Sequence, residues 1–241
     1  MTETAFGYPL TFTPLAESAL LVRIGDGDEV EPEVVDAVSA LSRAIEQEQL
    51  LGILDVVPAY ATILIVFDPE ETHGGAVKAT IRDLADRGVT QQVHTPRTVI
   101  IPTAYGGQHG PDLEEVAEAL SLTPPKLIEL HSSPDYRVAF MGFSPGWAYL
   151  MGTPAELAIS RRSEPRTRVP AGSVSLGGGQ TGVYPSKSPG GWHLIGRTPL
   201  GMFDPNRSDP FMLHPGDRVR FAPIDENRFE AMRQSLAGAD D

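Results

Sequence analysis

The sequence predicts an α+β protein with two domains, an α/β sandwich followed by a closed or half-closed β-barrel. Residues 1–95 carry 16 acidic and 5 basic side chains, whereas residues 96–241 carry 16 acidic and 14 basic ones. The first segment has 7 glycines and 5 prolines, and the second has 17 of each. Segments of such different composition are typical of separate domains. We place the domains at 1–95 and 96–233, with the junction near Gln92–Arg97 and a disordered tail at 234–241.

The first segment alternates strand and helix patterns. Val34, Val38, Leu41 and Ile45 recur at the spacing of one helix face, which predicts a helix over Glu33–Glu48. The predicted order is β-β-α-β-β-α, which favours a ferredoxin-like sandwich. The other predicted elements are strands at Tyr8–Leu15, Ala19–Arg23, Leu51–Pro58 and Thr62–Phe67 and a helix at Gly75–Arg87.

The second segment reads as short strands and tight turns around two small helices. A strand at Arg97–Pro102 leads through a glycine-rich turn to a helix after Pro111, and a second helix is predicted over Pro124–His131. Frequent glycine and proline between short strands indicate a β-barrel. The strands are predicted at Tyr136–Gly142, Gly172–Leu176, Gly182–Tyr184, Trp192–Arg197 and Val219–Pro223.

Composition excludes several classes of function. The chain has no cysteine, so neither a disulfide nor a thiol nucleophile is possible. A net charge of −13 argues against nucleic acid and anionic membrane as partners. No secretory signal and no apolar run near the length of a membrane span is evident, so we expect a cytoplasmic protein.

Two glycine motifs resemble catalytic signatures that their context does not support. Gly142–Gly146 matches the G-x-S-x-G nucleophile elbow, but the residue after the serine is Pro145, which lacks the N–H that the oxyanion hole requires. Gly177–Gly182 matches G-x-G-x-x-G, but Pro185 and the glycines that follow exclude the helix of a dinucleotide site. Two interpretations of this second loop remain, a plain β-turn and a loop whose N–H groups face an anion.

Charged and aromatic side chains provide the remaining candidates. Arg161, Arg162, Arg166 and Arg168 fall within eight residues, a pattern that suits carboxylate or phosphate but also suits pairing with the protein's own acids or a subunit contact. His131 ends a helix, so it is either a cap or a general acid or base. The histidines do not have metal-site spacing, and no metal site is predicted. Aromatic residues near the glycine loops either wall a pocket or fill the barrel core, namely Trp147, Tyr149, Tyr184 and Trp192.

Taken together, these segments resemble one family. The shared motifs, in chain order, are Tyr105–Gly107, Gly110–Leu113, His131, Gly142–Leu150, Pro165–Arg166, Val169–Val174, Gln180–Pro185, Ser188–Trp192, Ile195–Thr198 and Pro215–Asp217. They are similar to the B subunit of bacterial ATP-dependent 5-oxoprolinase, a family also called allophanate hydrolase subunit 1 or the sporulation-kinase inhibitor family. The resemblance extends to the carboxyltransferase region of urea carboxylase.

The resemblance implies a ferredoxin-like N-terminal domain and a cyclophilin-like β-barrel. It also implies a partner C subunit of related barrel fold and a separate A subunit. The implied reaction opens 5-oxo-L-proline to L-glutamate with ATP and water, with Mg²⁺ accompanying the ATP. The chain resembles the family closely, with Trp147 where phenylalanine is usual and three glycines at 177–179 where small apolar residues are common.

From the motif positions we expect His131 and Arg166 to act in catalysis. The residues expected to bind substrate or ATP are Arg168, Gln180, Thr181, Gly182, Tyr184, Gly190, Gly191 and Trp192. Two alternatives stay open: a binding protein that inhibits a histidine kinase, and a subunit of a urea- or allophanate-directed amidohydrolase or carboxyltransferase.

Overall fold

The computed structural model describes residues 7–27, 31–88 and 97–237. The chain divides into two compact units, Met1–Thr95 and Pro96–Asp241. Each unit has its own cluster of buried apolar side chains. Most of the junction that we predicted near Gln92–Arg97 lies outside the described residues, and Arg97 is its described end.

The N-terminal unit is a four-stranded antiparallel sheet with two helices. The strands pair in the order β1-β2-β4-β3. This is the strand order of a ferredoxin-like sandwich in which the last strand has moved to the start of the chain, and the predicted element order is confirmed. The elements are β1 (Leu10–Leu15), β2 (Ala19–Ile24), α1 (Pro32–Gln47), β3 (Ile53–Pro58), β4 (Thr62–Phe67) and α2 (Gly74–Asp86).

Both N-terminal helices form where the sequence supplies a start signal and an apolar stripe. Pro32 occupies the first turn of α1, where its missing N–H costs nothing. The Nδ1 atom of His73 accepts a hydrogen bond from the backbone N–H of Ala76 and so caps α2. Alternation in β2 and β4 turns apolar residues such as Val22 and Ile65 into the same core that the helices cover.

The second unit is built on a seven-stranded, nearly closed sheet. Its strands lie in the order β10-β9-β12-β5-β13-β6-β7, and the two edge strands, β10 and β7, approach each other. β5 and β13 pair in parallel and the other pairs are antiparallel. The expected α+β class and barrel are therefore confirmed. The elements are β5 (Thr98–Tyr105), α3 (Leu113–Ala119), α4 (Pro124–Ser132), β6 (Tyr136–Met141), β7 (Ala148–Met151), β8 (Arg166–Val169), β9 (Ser173–Gly177), β10 (Gln180–Val183), β11 (Ser188–Gly190), β12 (His193–Arg197), β13 (Arg218–Ile224) and α5 (Glu226–Ala237).

Three strands of this unit were not predicted. β8 and β11 pair only with each other, as a two-stranded ribbon apart from the main sheet. Their sequences, RTRV and SPG, have no alternating apolar pattern, so strand formation there depends on tertiary context. β7 follows the Gly142–Gly146 loop, which joins it to β6 as a hairpin.

The predicted disordered tail at 234–241 is wrong for its first residues. The last helix, α5, runs from Glu226 to Ala237, and residues 238–241 lie outside the described part of the chain. Phe229 is 2% exposed and its ring centroid lies 4.1 Å from that of His109. The carboxylate of Glu226 accepts hydrogen bonds from Gln108 Nε2 at 2.8 Å and from His109 Nε2 at 2.7 Å. One buried aromatic side chain and one shared carboxylate therefore anchor a helix whose other residues are largely polar.

Over the described ranges, the helices are all too short or too polar to cross a lipid bilayer.

Candidate functional site

A small aromatic cluster lies under the β8–β11 ribbon. Residues alternate along β10, so that Thr181 and Val183 face the main barrel core, whereas Gly182 and the following Tyr184 face the aromatic side. We call the group of Trp147, Tyr184 and Trp192, with Val169 and Leu194, the aromatic cluster. The ring of Trp147 meets the rings of Tyr184 and Trp192 edge to face, with centroids 5.0 and 5.2 Å away.

Glycines make room for these rings. A Cβ atom on Gly190 would lie 2.2 Å from the hydroxyl oxygen of Tyr184, and one on Gly177 would lie 2.8 Å from Cγ of Trp192. A Cβ on Gly182 would lie 3.0 Å from Cζ2 of Trp147. Gly182 and Gly190, which we predicted to bind ligand, therefore have a packing role in the structure.

The loop at Gly177–Gly182 forms a tight hairpin turn, as the β-turn interpretation of the sequence expects. Gly177 pairs with Gln180, and the two residues between them, Gly178 and Gly179, have φ angles of 62° and 74°. This is the two-residue hairpin turn that requires positive φ at both central positions. The N–H of Gly178 donates to the carbonyl oxygen of Ile159 at 2.7 Å.

Beside the aromatic cluster lies a group of ionised side chains, Asp112, Arg162 and Arg166, which we call the arginine group. Arg166 donates from both terminal nitrogens to the Asp112 carboxylate, at 2.8 and 2.6 Å. One terminal nitrogen of Arg162 lies 3.5 Å from the same carboxylate. Asp112 is buried at the start of α3, and its carboxylate also accepts the N–H of Leu194 at 2.7 Å. The fork of Arg166 is thus fixed by an acid of the same chain, as one interpretation of the sequence allowed.

The hydroxyl of Tyr184, in the aromatic cluster, lies close enough to the arginine group for the charge of Arg166 to act on it. Burial raises the pKa of this phenol, while a hydrogen bond with the Trp192 backbone and the positive charges of Arg161 and Arg166 oppose the shift. The guanidinium of Arg161 stands over the Trp192 ring at 5.9 Å from its centroid. Neutral phenol, indole and guanidinium groups therefore meet at one edge of the ribbon.

The other predicted ligand-binding residues divide between this edge and the open surface. The carbonyl oxygen of Gly191 accepts the N–H of Arg162 at 2.8 Å, which ties the arginine segment to the start of β12. Arg168 is exposed on β8, and Gln180 is half-buried at the hairpin turn. The structure brings Arg166, Tyr184, Gly191 and Trp192 together, whereas Arg168 is exposed.

His131 lies elsewhere, inside the barrel core. It is fully buried, its Nδ1 lies 2.7 Å from the hydroxyl of Tyr105, and its Nε2 lies 2.8 Å from the hydroxyl of Thr181. The Thr181 hydroxyl donates its proton to the carbonyl oxygen of Ser175 at 3.0 Å, so it must accept one from His131. The ring is therefore protonated at Nε2, and Nδ1 accepts from Tyr105.

Burial keeps His131 neutral and lowers its pKa to about 3. A neutral imidazole with both nitrogens bonded cannot pass a proton to a ligand at the surface without breaking this chain of hydrogen bonds. His131 belongs to α4 and is hydrogen-bonded to Thr181 of β10, so it connects this helix to this strand.

Two features of the site were missed in the sequence. Asp112 appeared in the sequence analysis only within the shared motif Gly110–Leu113, and its role as the centre of the arginine group depends on contacts 54 and 82 residues away in the chain. Phe143 was part of a rejected motif, yet it has a φ of 61° and is 68% exposed. Its ring centroid lies 5.6 Å from that of Trp147. A non-glycine residue held in this region marks a strained position of the kind found at functional sites.

The donor set decides which cofactors these residues fit. Guanidinium N–H groups suit the oxygens of phosphates and carboxylates. Among the described residues, histidine and acidic side chains nowhere gather in threes as a metal site would need. An Mg²⁺ ion brought with a nucleotide would keep its phosphate and water ligands, as this ion commonly does.

Comparison with known proteins gives one consistent result. The curated relatives include the B subunit of 5-oxoprolinase from Bacillus subtilis strain 168, which is 36% identical and is aligned over 91% of this chain and 95% of its own length. The corresponding B subunit from Escherichia coli O157:H7 is 41% identical over 82% of this chain and 91% of its own length. A shorter match, 29% identical over 41% of this chain and 6% of the relative, is to the urea amidolyase of Saccharomyces cerevisiae.

Solved structures agree. TTHA0988 matches with a TM-score of 0.75 and 38% identity over 86% of this chain, which spans about two fifths of the length of that protein, 39%. PH0987 from Pyrococcus horikoshii is 43% identical with a TM-score of 0.54, over 91% of this chain and all of its own. The urea amidolyase of K. lactis shares the fold at 18% identity, with a TM-score of 0.71 over 95% of this chain and 16% of its own. The family of the carboxyltransferase domain, subdomain C and D, matches residues 10–213. The chain therefore belongs to the carboxyltransferase domain, subdomain C and D, family.

Proposed function

We propose that this chain is the B subunit of an ATP-dependent 5-oxoprolinase and acts with a C subunit and an A subunit. The observation that carries the proposal is the similarity to curated B subunits of 5-oxoprolinase over nearly their whole length. Because those relatives are named as subunits, the partner chains belong to the proposal as well.

The proposed reaction converts 5-oxo-L-proline, ATP and water into L-glutamate, ADP and phosphate. The lactam C–N bond breaks and the ring nitrogen becomes the free amine. One water molecule is consumed in opening the lactam, where it supplies the new carboxylate oxygen, and a second is consumed in the conversion of ATP to ADP and phosphate. A lactam is a poor electrophile, and ATP supplies the activation that water alone lacks. The chain therefore needs to bind anions and to position the substrate, the nucleotide and water rather than to provide a nucleophile.

The residues of the site fit that task. The arginine group presents guanidinium N–H groups to carboxylate or phosphate oxygens, and Arg161 stands beside it over Trp192. Trp192 and Tyr184, both buried in the aromatic cluster, lie beside the arginine group and give it an apolar flank. We assign Arg166, Tyr184, Gly191 and Trp192 to the site, with Arg168 and Gln180 on its margin.

Gly182 and Gly190 support the site by admitting the Trp147 and Tyr184 rings. Thr181 and His131 support it from the core side, by fixing β10. In this proposal His131 positions the strand and does not touch the substrate.

The test is phosphate release from ATP and glutamate formation by the chain assembled with its C and A subunits. We expect both products only when 5-oxo-L-proline and this chain are present. Equal phosphate release with and without 5-oxo-L-proline, in a complex shown to be assembled, would contradict the proposal. The Arg166→Gln complex, checked for assembly by gel filtration, should lose activity if the arginine group contacts substrate or nucleotide.

A second candidate is a subunit directed at urea-derived amides. The match to a urea amidolyase over 41% of the chain favours it. The same assembled complex, given urea or allophanate in place of 5-oxo-L-proline, separates the two candidates by which compound stimulates phosphate release.

A further inference from the structure

The Asp112 carboxylate is held in one position before any ligand arrives. Its Oδ2 accepts the Leu194 N–H at 2.7 Å, and the Asp112 N–H donates to the Leu194 carbonyl oxygen at 3.0 Å. The side chain is only 4% exposed. A carboxylate that is fixed by a strand of the barrel is a rigid anchor that can orient arginine side chains.

Two guanidinium groups lie against this carboxylate, and both still have N–H donors available for a ligand. Arg166 spends one N–H of each terminal nitrogen on Asp112, which leaves the Nε–H and one N–H on each terminal nitrogen. Arg162 approaches the same carboxylate less closely, at 3.5 Å, and its buried Nε has no hydrogen-bond partner among the described residues. Both side chains remain about a quarter exposed, at 25% and 27%, so a ligand can reach them.

The charge of the arginine group selects the ligand. Two guanidinium groups around one buried carboxylate leave a single positive charge. Glu115 lies 3.9 Å from Arg162, too far for a hydrogen bond, and its side chain is 66% exposed. An exposed pair of this kind is weak and easily exchanged. One ligand carboxylate is therefore enough to balance the charge of Asp112, Arg162 and Arg166.

We propose that Asp112, Arg162 and Arg166 form a binding site for a single carboxylate of the substrate, that Asp112 is its positioning residue, and that Glu115 shields Arg162 until a ligand carboxylate displaces it. This inference rests on the proposed function and names the part of 5-oxo-L-proline that the arginine group would bind.

Two substitutions that each remove one negative charge test the proposal, because they should act in opposite directions. Glu115→Gln removes the competitor, and the KM for 5-oxo-L-proline in the assembled complex should fall by about two- to fivefold. Asp112→Asn removes the negative charge that orients Arg162 and Arg166, and KM should rise by at least about tenfold. Glu114→Gln, the same charge change at the neighbouring exposed position, should leave KM unchanged.

If the lost negative charges acted only through the long-range electrostatic attraction of the substrate, KM would fall in all three variants. That result would overturn the proposal. So would an unchanged KM in both Asp112→Asn and Glu115→Gln. If Asp112→Asn fails to fold by circular dichroism, Arg162→Gln replaces it, with a rise in KM expected and no rise counting against the site.

Direct binding to the full chain separates this inference from the proposed function. Arginine Nε resonances of Arg162 and Arg166 should shift on titration with 5-oxo-L-proline and not with pyrrolidin-2-one, the same lactam without its carboxylate. Shifts with both compounds, or with neither, would overturn the carboxylate site even if the complex hydrolyses 5-oxo-L-proline. If the shift is selective but the assembled complex does not hydrolyse 5-oxo-L-proline, the carboxylate site is supported and the proposed 5-oxoprolinase function is contradicted.

Discussion

The Nε2–H of His131 donates a hydrogen bond to the hydroxyl of Thr181, 2.8 Å away inside the barrel core. Tyr105 completes the chain of hydrogen bonds on the other side of the ring, at 2.7 Å from Nδ1. The fully buried imidazole therefore spends both nitrogens on the fold and connects α4 to the β10 edge strand. That strand carries Gly182, on which Trp147 rests, so the core hydrogen bonds help to place the aromatic cluster.

Burial of His131 predicts that stability falls in mild acid. Its pKa is lowered to about 3 in the folded chain, against about 6.5 when unfolded. Between these values the unfolded chain binds a proton that the folded chain does not, so the free energy of unfolding falls as the pH drops below 6.5. The slope should approach about 1.4 kcal/mol per pH unit.

Urea unfolding of wild type and His131→Gln between pH 7.5 and 5.5 measures this effect. The variant should have the flatter slope. Thr181→Val is the matched control, because it removes the hydrogen bond but keeps the titrating ring, and it should lose stability while retaining the slope. A wild-type slope in His131→Gln would contradict the assignment.

The tautomer of His131 is a separate prediction. Because Thr181 gives its only proton to Ser175, the imidazole must carry hydrogen on Nε2 and not on Nδ1. Nitrogen-15 spectra of the ring should show one protonated Nε2 and one unprotonated Nδ1, unchanged from pH 8 to pH 5. A doubly protonated ring within that range would mean that the core admits charge.

Gly190 should tolerate no side chain. A Cβ there would lie 2.2 Å from the Tyr184 hydroxyl and 2.7 Å from Cζ, and the ring is packed against Trp147. Overpacking of this kind costs roughly 1–3 kcal/mol, so Gly190→Ala should lower the free energy of unfolding by that amount. Gly201→Ala is the control, since a Cβ at Gly201 meets no atom within 4 Å. Equal stability of the two variants would show that Tyr184 moves freely.

Phe143 should show a trade of stability against activity. Its φ of 61° suits glycine, so Phe143→Gly should stabilise the fold by about 1 kcal/mol although a ring contact with Trp147 is lost. Ser121, at φ 57°, is the matched control at the end of α3. If the exposed Phe143 ring contacts ligand or partner, Phe143→Gly should lower kcat/KM of the assembled complex and Ser121→Gly should not. Loss of stability in Phe143→Gly would remove the argument from strain.

The sequence predicted the elements whose apolar period is complete and missed those set by distant contacts. The helix Glu33–Glu48 and the strand Thr62–Phe67 carry their periodicity locally, and the structure confirms both within about one residue of their bounds. β8 and β11 carry no such pattern, because their stability comes from pairing with each other over the aromatic cluster. The same difference explains why the arginine run was visible in the sequence and its partner Asp112 was not.

The site prediction divided in the same way. Residue type and motif order made Arg166, Tyr184 and Trp192 candidates, and the structure places these three residues together at one edge of the ribbon. The sequence could not show which face of β10 each residue occupies, so Thr181 and His131 were expected to meet ligand although they face the core. Whether Thr181 and His131 are buried depends on how the whole sheet packs, and the local sequence motif does not determine it.

The last helix, α5, which ends inside the predicted tail, gives the last prediction. Phe229 is 2% exposed and packs on His109, whereas Leu236 on the same helix is 40% exposed. Phe229→Ala should lower the free energy of unfolding by about 3–5 kcal/mol, because it empties a buried aromatic position, and Leu236→Ala should cost well under about 1 kcal/mol. Thermal and urea unfolding of the two variants measure the difference. If α5 were only loosely attached to the barrel, both substitutions would be equally mild, and Glu226→Gln would not change the hydrogen exchange of Gln108 and His109.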